Sequence, residues 1–112
     1  MNDEAFWSII ESFNWSSDHD YERIAAQIKN ELSDDEASQI ESICEKKIRK
    51  LSKFIWYVQG VADDGFSDLC WHILGSGKES YDKAMVPGGR DYAQKLINEG
   101  AYEESFAYIF FS

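Results

Sequence analysis

The sequence predicts an all-α fold: a compact single-domain helical bundle of five to seven helices with a long central helix. Three observations predict it. Apolar residues recur at three- and four-residue spacing along most of the chain. The single proline and the seven glycines all fall between residues 60 and 100, so nothing in the first half interrupts a helix. A reciprocal capping signature opens the longest apolar stripe. With 112 residues the chain is long enough for one hydrophobic core and too short for a second. Its 44% apolar and 15% aromatic content excludes a disordered chain.

Phe6, Ile9, Ile10 and Phe13 sit at helical spacing over residues 3–13. Asn2 or Asp3 is available as N-cap, and Asp3 and Glu4 suit the positive end of the helix dipole. Ser16-Ser17-Asp18 offers caps for a second helix over 18–31, with Tyr21, Ile24, Ala25, Ile28 and Leu32 as its apolar face. In Ser33-Asp34-Asp35-Glu36 the serine accepts from the backbone and the glutamate reaches back, which starts a helix at Asp34. Ala37, Ile40, Ile43, Cys44, Ile48, Leu51, Ile55 and Val58 carry that helix to about Gln59, where Gly60 offers a stop.

Asp63-Asp64 caps a fourth helix bearing Phe66, Leu69, Cys70, Ile73 and Leu74, and Gly75-Ser76-Gly77 ends it. A fifth helix is expected around 78–85. Pro87-Gly88-Gly89 reads as a loop, Asp91–Asn98 as a short helix closed by Gly100. Phe106, Ile109 and Phe110 suit a final helix over 102–111, but Phe-Ala-Tyr-Ile-Phe-Phe equally suits a strand.

The charge is uneven. The chain carries 21 acids and 11 bases, a formal charge of −10. Residues 1–45 hold 12 acids and two bases, residues 46–53 five bases and no acid, and residues 54–112 nine acids and four bases. A field of that sign repels nucleic acid and anionic membranes and attracts a basic protein. No apolar run approaches the ~20 residues that cross a bilayer. The acidic start lacks the bases and apolar run of a signal peptide. Cys44 and Cys70 lie inside apolar helical patterns, so the expectation is a cytosolic protein with both thiols reduced.

No catalytic set is recognisable. Only His19 and His72 are available as imidazole bases, and Cys70 and His72, two apart on a helix, point away from each other. Buried structural thiols are the stronger reading of the cysteines. Asp68 and His72, four apart, share a helical face, and Asp64 lies one turn earlier. That spacing admits a metal site, and a small metal-dependent enzyme centred on Asp63, Asp64, Asp68 and His72 is an alternative function, although an Asp-rich helix start is more often a cap. Gly75-Ser76-Gly77-Lys78 lacks the frame of a phosphate loop. No cofactor is expected. Lys46, Lys47, Arg49, Lys50 and Lys53 occupy the later half of the long helix, where cations suit the dipole and can pair with acids of neighbouring helices. Trp7, Trp15, Trp56 and Trp71 each stand beside an apolar stripe and are mostly core candidates. One of them as an interface anchor is an even-handed alternative.

In chain order, Phe6-Trp7, Leu32-Ser33, Trp56, Ala62-Asp63-Asp64-Gly65-Phe66, Trp71, Gly77 and Tyr81 form a pattern that resembles the bacterial domain of unknown function 4240. The resemblance covers most of the chain, and its order is more specific than any single motif. The chain departs at Ala62, where the family often has serine, and at Val86-Pro87-Gly88-Gly89-Arg90, where members usually show an acidic-proline step. The resemblance implies a mostly helical fold and no activity, cofactor or catalytic residue.

Small size, acidity, aromatic content and the missing catalytic set lead to a binding protein as the expected function. In its sharpest form this is an immunity protein that covers the active site of a basic toxin domain, such as a nuclease, since an acidic surface mimics nucleic acid and speeds capture of a cationic partner. The expected contacts are Trp15, Asp18, Asp20, Asp34, Asp35 and Glu36. An adaptor or regulatory domain is a third reading.

Overall fold

The structure, a computed structural model, describes residues 1–15, 20–56, 58–61 and 63–100 with Tyr102 and Phe106; the side chains of Asp63 and Asp64 fall outside that description. Among the described residues the chain forms six helices and no strand: α1 (Asp3–Ser12), α2 (Tyr21–Glu31), α3 (Asp34–Phe54), α4 (Asp63–Gly75), α5 (Lys78–Ala84) and α6 (Gly89–Glu99). The all-α expectation is met, with α3 as the long central element. It packs against α4 and α5, and α5 bridges α4 and α6.

The helix starts follow their capping chemistry. Asn2 Oδ1 accepts from the Ala5 N–H at 2.7 Å and opens α1. At α3 the Glu36 N–H donates to Ser33 Oγ and the Ser33 N–H donates to Glu36 Oε1, both at 3.1 Å. The reciprocal box satisfies two N–H groups that a helix start leaves orphaned. Ser33→Ala is therefore expected to lower stability by about 1 kcal/mol in urea denaturation, with an unchanged slope. An effect near zero would mean that water replaces the cap.

Three boundaries differ from the sequence expectation by two residues or more. The third helix stops at Phe54 and not at Gln59, because Gln59 is held elsewhere: its N–H donates to Gln94 Oε1 and its carbonyl accepts from Gln94 Nε2, each at 2.8 Å. A side chain of α6 thus takes the backbone groups that a longer α3 would have bonded internally. The sixth helix begins at Gly89, two residues earlier than Asp91, with Gly88 in the left-handed region at φ 89° as its N-cap. The second helix starts at Tyr21, and Ser16, Ser17 and Asp18, read as its caps, lie outside the described residues. The segment 102–111, left open between helix and strand, is described only at Tyr102 and Phe106.

The core gathers one face from every helix: Phe6 and Ile10 from α1, Ile24 from α2, Ile40, Cys44 and Leu51 from α3, Leu69, Ile73 and Leu74 from α4, Ala84 from α5 and Ala93 from α6. Phe106 closes it, fully buried against Trp15 and Trp71, with ring centroids 5.3 and 6.3 Å away. Arg23 fastens α2 to the end of α1, donating to the Phe13 carbonyl at 3.0 Å.

Candidate protein-binding surface

Two charged regions occupy opposite ends of α3. At its start Asp34, Asp35 and Glu36 are exposed, and Glu31 is exposed at the end of α2 just before the corner. The cap places them there, since carboxylates in a first helical turn face the positive end of the dipole. Glu36 accepts the capping bond, and Asp35 Oδ2 accepts from Gln39 Nε2 at 2.8 Å. Among the described residues none of the four lies within ion-pair distance of a base. Their charge is turned to solvent.

The later half of α3 carries the opposite sign. Lys47 is the one member of the basic run that pairs as expected with a neighbouring helix: its ammonium sits 2.7 Å from Asp3 Oδ1, with the rings of Phe6, Trp7 and Tyr81 within 5.5 Å. A cation facing three aromatic rings and a carboxylate is stabilised by both. The bond from Lys47 holds the Asp3 carboxyl below its ordinary value, with burial opposing it. Lys46, Arg49, Lys50 and Lys53 remain exposed and hold no ion pair with a described residue. Among the described residues the internal balancing expected of the run is thus confined to Lys47, although Asp3 and Asp82 line the same recess as Lys46 and Lys50.

The Asp3–Lys47 pair gives a pH-dependent signature. A carboxyl with a folded pKa below its unfolded value contributes stability that is present above the unfolded pKa, about 3.9, and lost as pH falls through the folded one. Asp3→Asn should cost a few tenths of a kcal/mol at pH 7, the scale of a screened surface pair, and the gap from the parent should close as pH falls below the ordinary carboxylate range. A gap that persists in acid would assign the loss to packing.

The expected contact residues divide. Asp34, Asp35 and Glu36 come together on one exposed turn. Asp20 stands apart at the start of α2, 3.6 Å from Arg23, and Asp18 lies outside the described residues. Trp15 is a correction to the expected anchor: it is only 8% exposed, edge-on to His72 and Phe106 at 5.3 Å, so its ring serves the core and is not presented to a partner. Its indole N–H is buried and has no hydrogen-bond partner among the described residues. The exposed tryptophan is Trp56, at 64%, edge-on to Phe66, and Phe54 beside it is 50% exposed. No sequence signal marked the exposure of Phe54, which stands three residues after Leu51 at the spacing of the stripe itself. The exposure of Trp56 follows from the early end of α3, which no local pattern announced.

The metal alternative gains nothing from the described residues. Asp68 and His72 lie one turn apart on α4, both half-buried, but no group of three or more His, Cys, Asp or Glu side chains able to hold a metal occurs among the described residues. Asp63 and Asp64 contribute no described side chain, and His19 lies outside the described residues. The two thiols are free and buried. Burial pushes Cys70 up to about 12 and raises Cys44 further, which disfavours the thiolate that a nucleophile needs. Among the described residues no helix is long and apolar enough to cross a membrane.

The family profile described as "Protein of unknown function (DUF4240)" matches residues 1–88. The chain belongs to this family. No curated protein and no solved structure matches it. The match spans α1 to α5 and ends at Gly88, so α6 and Phe106, which complete the core, lie beyond it. Membership carries no chemistry, so function rests on what the surface presents.

Proposed function

We propose that this protein acts by binding, as an inhibitory partner of a basic protein, and in its sharpest form as an immunity protein that covers the active site of a cationic toxin domain. The observation that carries the reading is the exposed acidic turn Asp34-Asp35-Glu36 with Glu31 beside it, unpaired by any described base. Such a surface accelerates encounter with a cationic protein and occupies the groove in which that protein holds phosphate. The reading assigns the protein to the cytosol, where two free buried thiols stay reduced.

The test is co-expression with the product of the adjacent gene, followed by stopped-flow association of the purified pair. The expected result is a complex whose association rate falls roughly tenfold or more from low to high salt. Reversal of Asp34, Asp35 and Glu36 to lysine should slow association in the same way and leave the helical circular dichroism intact. A complex that forms at a salt-independent rate, or none, removes the reading.

A further inference from the structure

We propose that two copies of this chain associate through α3 laid antiparallel, the basic end of each helix against the acidic corner of the other. The inference does not rest on the inhibitory role, since it needs no other partner.

The argument begins with the length of α3. Its 21 residues span about 30 Å at a rise of ~1.5 Å per residue. From Asp35 to Lys50 is about 22 Å on the same rise, more than twice the ~8 Å over which physiological salt screens charge. The two ends therefore cannot neutralise each other within one molecule. Dipole complementarity favours acids at the start and bases at the end, yet it leaves these side chains in water. Asp34, Asp35 and Glu36 hold no described ion pair, and neither do Lys46, Arg49, Lys50 and Lys53.

The face between the two ends is open. Asp35, Ser38, Ser42, Glu45, Arg49 and Lys53, three or four residues apart, are all exposed and lie opposite the buried Ile40, Cys44 and Leu51. The serines at its middle are small enough for a close approach. An antiparallel pair brings Arg49 and Lys53 of one copy to Asp35 and Ser38 of the other, and does so twice. Such a contact is isologous, so it closes at two copies. One helix face per copy is a small interface, and a dimer held this way depends on concentration and on salt.

Sedimentation equilibrium of the full chain tests the proposal. At ~20 mM salt the apparent mass should rise with protein concentration from 12.9 kDa toward twice that value, and at ~500 mM salt it should stay monomeric. Two double variants sharpen the test. Arg49→Glu with Lys53→Glu, and separately Asp35→Lys with Ser38→Lys, should each raise the dissociation constant at least about tenfold, because the contacts then oppose like charges. An equimolar mixture of the two variants should associate again, since each reversed end meets a reversed corner. Circular dichroism checks that each variant is folded; should the acidic-end variant fail, the basic-end variant and the salt series of the parent decide. A parent chain that stays monomeric at low salt overturns the proposal, as it would if the occupant of the basic end were an acidic protein of another kind. So does a mass that grows past two copies, or a dimer that ignores both reversals.

Discussion

Gly89→Ala is expected to lower stability by about 3 kcal/mol, at the upper end of overpacking losses, and the melting temperature by roughly 12 °C or more. The reason is space. A Cβ built at Gly89 falls 1.9 Å from the carbonyl oxygen of Ala84 and 2.4 Å from its carbon. Both are backbone atoms of α5 and cannot rotate aside as a side chain would. Relief requires α5 and α6 to separate, and Ala84 and Ala93, fully buried near the crossing, would separate with them. The neighbouring glycine provides the control. Gly88 adopts φ 89° but has no heavy atom within 4 Å of an added Cβ. Gly88→Ala should therefore cost only the left-handed strain, about 1–2 kcal/mol. Thermal denaturation of the two variants side by side checks the pair, and equal losses would mean that the approach of α6 to α5 is looser than described.

That pair also shows where sequence reading reaches its limit. Two adjacent glycines after a proline announce a turn, and the turn is there; which glycine is needed for its backbone angle and which for its lack of a side chain depends on how closely two helices pass. Helices were legible where capping residues and apolar spacing agreed. Asn2 and the Ser33–Glu36 box marked the starts of α1 and α3, and the stripe of Ile40, Cys44 and Leu51 named its own buried face. The end of α3 was illegible because Gln94, 35 residues away from Gln59, decides it through hydrogen bonds that no local pattern encodes. Candidate contacts divide in the same way. The exposure of Asp34, Asp35 and Glu36 follows from their place in a first helical turn, which is local. The burial of Trp15 depends on His72 and Phe106, which reach it only through the tertiary fold.

Phe106→Ala should remove about 3–5 kcal/mol, the range for deleting a fully buried aromatic side chain. Phe106 is 0% exposed and lies between Trp15 and Trp71, over the last residue of α4. That residue is Gly75, and an added Cβ there would fall 2.6 Å from the Phe106 ring. A glycine in helical backbone, as Gly75 is, is ordinarily a liability relative to alanine, by up to about 1 kcal/mol in a helix interior; here it is the floor on which the ring rests. The two positions are therefore coupled, and the sign of the second substitution should depend on the first. In the parent chain Gly75→Ala forces the ring off its seat and destabilises. In the Phe106→Ala background the obstruction is gone, the methyl fills part of the cavity, and the same substitution should be neutral or stabilising by a few tenths of a kcal/mol. Urea denaturation of the four proteins gives the interaction energy directly. A cycle that closes additively would show that Phe106 and Gly75 do not meet, and would remove the segment beyond α6 from the account of the core.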